Sequence, residues 1–120
     1  MKLQIGTILV LLLCSCSEHN APEHLTAAKI SQIELGMSKN EVIEILNEPI
    51  SKEGETFQFT EKHDYNYPML WVHFDSLGVR AVYAKYYDYW DDKGIYCLDE
   101  KSKKHGRYGA SEDALKEYFN

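Results

Sequence analysis

Gly36-Met37-Ser38-Lys39-Asn40-Glu41-Val42-Ile43-Glu44-Ile45-Leu46-Asn47-Glu48-Pro49 carries a complete set of helix start and stop signals. The Ser38 hydroxyl is placed to accept from a first-turn N–H, and Glu41, three residues on, has the reach to accept the N–H of Ser38 in return: a capping box. Val42, Ile45 and Leu46 fall at i, i+3 and i+4, so one side of this helix is apolar and needs a covering layer. Asn47 tolerates the left-handed backbone that ends a helix, and Pro49 forbids its continuation. Gly36 lets the chain turn sharply ahead of the cap. A first helix over Leu25 to Leu35, with Thr26 as its cap and Ile30, Ile33 and Leu35 on its apolar side, can therefore precede the second as an αα-hairpin.

Beyond Pro49 the hydrophobic period becomes that of a strand. Glu55 to Thr60 alternates, with Phe57 and Phe59 on one face. Glu61 to Pro68 is a polar connection, Met69 to Phe74 a second strand, Asp75-Ser76-Leu77-Gly78 a tight turn, and Val79 to Tyr86 a third strand. Connections this short imply an antiparallel meander. Gly109 to Asn120 echoes Gly36 to Asn47, with Leu115, Tyr118 and Phe119 spaced like Val42, Ile45 and Leu46. It reads as a C-terminal helix or as the start of a second repeat. The expected fold is α+β: an N-terminal helical hairpin packed on a three- or four-stranded antiparallel meander, with a short C-terminal helix.

At 120 residues the chain is long enough for one domain. Its formal net charge of -6 and sequence pI near 5.3 argue against a phosphate-binding surface, hence against nucleic acid, and against attraction to anionic lipid headgroups. Membrane association needs another cause, and the N-terminus supplies one. Met1-Lys2 followed by the apolar run Ile5 to Leu13 is too short to span a bilayer and reads as a secretory signal. Leu13-Cys14-Ser15-Cys16 resembles the lipobox of bacterial lipoproteins, in which the cysteine after the cleavage point is acylated. Leu13 is too bulky for the position before the cut and Ser15 is small, so Cys16 is the expected lipidation site. Two or more acyl chains, at roughly 0.8 kcal/mol per buried CH₂, hold a protein on a membrane without a transmembrane helix. The expected organisation is a signal over residues 1–15, a tether over 16–24 and a single domain over 25–120. Cys97 then remains alone, inside the apolar run Gly94 to Leu98, and reads as a buried thiol.

Chemistry-bearing constellations are sparse. There is no Ser-His-Asp spacing, no Gly-rich phosphate loop and no paired Cys/His metal signature, so no catalytic residue, metal ligand or cofactor is assigned. His63, His73 and Asp75 could form a carboxylate–imidazole cluster, but Asp75 is explained as the turn-opening residue and His73 as a cross-strand side chain. Asp88, Asp91 and Asp92 lack the alternating oxygens and the glycine of a calcium loop. The stretch Tyr83 to Asp92 is more informative, with Tyr83, Tyr86, Tyr87, Tyr89 and Trp90 crowded together. Alternate strand residues face opposite sides, so these rings cannot all enter one small core. They read either as a binding surface or as the outer edge of the core; on the first reading Tyr86, Tyr87, Tyr89 and Trp90, with Asp88 in an acidic rim, are the partner-binding residues.

Ile33-Glu34-Leu35-Gly36-Met37-Ser38 with Glu41-Val42, then Leu46-Asn47-x-Pro49, then Phe74-Asp75-x-x-Gly78-Val79, resembles the BamE/SmpA/OmlA family of small outer-membrane lipoproteins. The resemblance covers about residues 25–86. It departs at Asn47, where the family has Gly, and in the further residues after Tyr86. The same unit resembles the repeat of β-lactamase-inhibitor-like domains, which bind proteins through the open face of the sheet. These resemblances imply a lipid-anchored, non-enzymatic protein on the periplasmic side of the outer membrane. Its partners would be envelope or outer-membrane proteins, with no small-molecule substrate, and its role outer-membrane protein assembly or envelope maintenance. The alternatives are a carbohydrate or peptidoglycan binder using the Tyr/Trp surface, and a small hydrolase built on His63, His73 and Asp75.

Overall fold

The computed structural model describes residues 20–88, 92–101 and 112–120. The segment expected as a signal, with Cys14, Cys16 and Gly109 to Ser111, lies outside the described residues. In chain order the elements are α1 (Ala27–Ile30), α2 (Lys39–Leu46), β1 (Ser51–Glu53), β2 (Thr56–Gln58), β3 (Tyr67–Asp75), β4 (Gly78–Tyr87), β5 (Asp92–Leu98) and α3 (Glu112–Tyr118). The strands form one antiparallel sheet in the order β1-β2-β3-β4-β5, so every neighbour in space is a neighbour in sequence.

This arrangement corrects the expected fold. The molecule is mainly a five-stranded antiparallel sheet with short helices, and no N-terminal helical hairpin lies on a three- or four-stranded meander. The first reason is that α1 is a single turn. Thr26 caps it, accepting from the Lys29 N–H at 3.2 Å, but after Ile30 the helical ladder gives way to three-residue turns, Gln32 N–H to Lys29 O and Ile33 N–H to Ile30 O. The chain then extends so that Gly36 donates to the Val79 carbonyl at 2.9 Å and Val79 donates to the Met37 carbonyl at 2.8 Å. These bonds fasten Gly36-Met37 to the first turn of the β3–β4 hairpin, and a helix running to Leu35 would forfeit them. The second reason is the two edge strands, β1 pairing with β2 across Gly54-Glu55 and β5 pairing with β4.

The helix α2 has both halves of its capping box: Glu41 N–H donates to Ser38 Oγ and Ser38 N–H donates to Glu41 Oε1, each at 3.1 Å. It ends at Asn47, whose φ is +69°. Val42 and Leu46 are fully buried. They meet the side of the sheet formed by Phe57, Leu70, Val72, Phe74, Val79, Val82 and Ala84, joined by Leu25, Ile30, Ile33, Leu115 and Phe119. The α1 helix packs against both α2 and α3, and the Ala27 N–H donates to the Phe119 carbonyl at 2.8 Å. The C-terminal residues therefore satisfy an N–H that the short α1 leaves without an internal partner.

Two irregularities shape the sheet. His73 pairs with Ala81 and Phe74 with Val79, leaving Arg80 extra; Ala84 pairs with Tyr96 and Lys85 with Gly94, leaving Ile95 extra. A bulge puts two residues of one strand opposite one of its partner. At β5 it lets the consecutive residues Ile95 and Tyr96 both join the core cluster, where strict alternation would put them on opposite faces.

Candidate functional site

The helices α1, α2 and α3 pack on one side of the sheet, so the alternate residues of the long strands project from the other. On β3 these are Tyr67, Met69, Trp71 and His73; cross-strand pairing sets Trp71 against Tyr83, Met69 against Lys85 and Tyr67 against Tyr87. From β2, Thr56 pairs with His73 and Gln58 with Trp71. From β5, Cys97 pairs with Tyr83, Gly94 with Lys85 and Asp92 with Tyr87. The result is a concavity of about 570 Å³ walled by Trp71, His73, Tyr83, Lys85, Asp92 and Cys97, within the roughly 300–1,000 Å³ typical of ligand-binding clefts.

Its polar groups are held by neighbours. His73 Nδ1 lies 2.9 Å from Thr56 Oγ1, and its imidazole meets the Tyr83 ring edge-on at 5.3 Å. Burial lowers the His73 pKa below 6.5, and the Arg80 charge lowers it further, so at neutral pH the ring is uncharged. Tyr67 and Tyr87 stack with centroids 5.2 Å apart; burial, then Asp92, then Tyr67 raise the Tyr87 pKa above 10.0. Cys97 is buried, its thiol donating to Asp99 Oδ2 at 3.6 Å. A wall of aromatic faces with a neutral imidazole, a hydroxyl and one charge of each sign at the rim is suited to recognition by stacking and hydrogen bonding.

The residues expected at the site separate. Tyr87 is on the open face. Tyr86 is on the helical side, stacked on Tyr118 at 4.4 Å and packed against the core. Asp88 follows β4 and is half-buried. Tyr89, Trp90, Asp91 and Cys16, the expected lipidation site, lie outside the described residues. Nor does the structure bring His63, His73 and Asp75 together. His63 meets Tyr67 edge-on at 5.8 Å, six residues along β3 from His73, which at the strand rise is about 20 Å. Asp75 Oδ1 accepts the Leu77 N–H at 2.8 Å and so belongs to the turn.

Trp71, Tyr83, Lys85 and Thr56 were missed as site residues. The signal for them was present: the period-two pattern that puts Trp71 beside His73 on β3 also puts Tyr83, Lys85 and Tyr87 on one face of β4. Only the pairing register sets those two faces side by side. No family model matches the chain, and neither does any curated protein or solved structure.

Proposed function

We propose that this is a lipid-anchored, non-enzymatic protein of the bacterial cell envelope that binds another protein through the open face of its sheet. The observation that carries the reading is the aromatic concavity of Trp71, Tyr83 and His73, with the Tyr67–Tyr87 stack beside it, on the side of the sheet opposite α1, α2 and α3. Large, conformationally restricted rings are the residues that most often anchor protein interfaces. The resemblance to the BamE/SmpA/OmlA lipoproteins supports the same reading, because its two motif halves meet here: Gly36-Met37 is hydrogen-bonded to Val79, directly after Gly78. A place in envelope maintenance or outer-membrane protein assembly follows from that resemblance.

Chemical crosslinking in intact cells, with identification of the captured species by mass spectrometry, tests the reading. A defined envelope protein whose capture is lost in both Trp71→Ala and Tyr87→Ala is the expected result. Rings lining a concavity also stack on sugar faces, so a peptidoglycan binder is the second reading. Binding to purified peptidoglycan that requires Trp71, with protein capture unchanged by the same substitution, would select it instead.

A further inference from the structure

Among the described residues the large apolar side chains left exposed are Ile50, Tyr65 and Leu77, at 52 %, 43 % and 82 %. They are not scattered evenly. Leu77 is in the turn between β3 and β4, whereas Ile50 immediately precedes β1 and Tyr65 lies two residues before β3. Ile50 lines a small cleft together with Asn20, Pro22, Glu61, His63 and Tyr67. Asn20 is the point at which the chain arrives from Cys16, so Ile50 and the Tyr65 loop share the end of the sheet where the chain enters. The nine residues of β3 separate that end from the Leu77 turn by about 30 Å.

We propose that this end docks on the lipid bilayer, setting Ile50 and Tyr65 at the boundary between headgroups and acyl chains while the Asp75–Gly78 turn points away. The inference rests on the reading of Cys16 as the lipidated residue. Three residues separate Cys16 from Asn20, and the chain between the two, fully extended, spans no more than about 14 Å. A tether that short makes contact with the membrane intramolecular, so individually weak contacts are populated. Tyrosine favours the membrane interface, where its ring is in apolar surroundings and its hydroxyl is hydrated. Lys52 pairs with Glu48 at 3.4 Å and Lys62 lies between Glu61 and Asp64 in the sequence, and such mixed charge gives no net attraction to anionic headgroups. The contact is therefore apolar and independent of lipid charge. It also leaves the open face, along the sheet, clear of the bilayer for a protein partner.

The test uses the mature lipoprotein reconstituted into vesicles, with photoreactive benzoylphenylalanine replacing Ile50, Tyr65 or Leu77 in turn. Vesicles of phosphatidylcholine alone and with added phosphatidylglycerol are compared, and lipid adducts are read by mass spectrometry. Adducts at 50 and 65 in both vesicle types, with background at 77, are expected; exposure alone would give the reverse order, since Leu77 is the most exposed. Intact mass of the same preparations reports acylation. An unacylated protein overturns the anchor reading and this inference with it. An acylated protein whose adducts at 50 and 65 do not exceed those at 77, or arise only with phosphatidylglycerol, overturns the inference alone.

Discussion

At Gly78 the backbone φ is +108°, and an added Cβ would overlap the carbonyl groups of Gly36 and Met37. Gly78→Ala therefore both strains the backbone and forces apart the contact that fastens the N-terminal segment to the β3–β4 hairpin. Backbone strain alone costs about 1–3 kcal/mol, and the expected loss lies at or above the top of that range. Gly54 is the comparison, since its φ is +57° but open space surrounds it. Gly54→Ala should cost only the left-handed penalty, about 1–2 kcal/mol. Urea unfolding of the two variants checks the order, and equal midpoints would mean that the Gly36–Gly78 approach is not a constraint. His73 gives a second prediction at this scale. Its folded pKa is lowered by burial and by Arg80, so between that value and 6.5 the unfolded chain binds the proton that the folded chain refuses. Stability falls as the pH drops below 6.5 and levels off beneath the folded value. In His73→Gln this component of the pH dependence should be absent, which thermal melts across that range would show.

At the scale of elements, α2 was legible because its signals are local: Ser38, Glu41, Asn47 and Pro49 act within the helix they bound. Ser38→Ala should cost about 1 kcal/mol through loss of the cap. Val42→Asp should cost several, because it places an unpaired carboxylate among fully buried side chains. Small and equal shifts of the thermal midpoint in both variants would contradict the packing of α2 on the sheet. The end of α1 was not legible, since what stops it at Ile30 is the pairing of Gly36 and Met37 with Val79, far along the chain. The edge strands were hidden for different reasons. Ser51-Lys52-Glu53 is polar and largely exposed, so it has no hydrophobic period to read. In β5 the extra residue Ile95 breaks the alternation and leaves only an apolar run. The aromatic stretch posed the same difficulty at the site, for Tyr86 and Tyr87 are neighbours in sequence whose stacking partners, Tyr118 and Tyr67, are fixed by tertiary contacts.

For the whole molecule, the division of labour runs through the sheet, with one face buried by α1, α2 and α3 and the other presenting rings. If Cys16 carries the lipid, Cys16→Ala should move the protein from the membrane fraction to the soluble fraction, and Cys14→Ala should not. Unchanged fractionation of the Cys16 variant in detergent-free buffer would contradict the anchor. The central claim concerns the open face, and Trp71 tests it most directly. Trp71 is half-buried on the side away from the main core, so Trp71→Ala should stay folded. As an interface anchor its truncation should cost about 2 kcal/mol or more of binding, roughly thirtyfold in affinity. The decisive measurement is the Kd of the crosslink-identified partner for the parent and for Trp71→Ala, with the thermal midpoint of each taken on the same preparations. A folded variant that binds about thirtyfold more weakly is the result expected; a folded variant that binds as tightly as the parent would contradict the account.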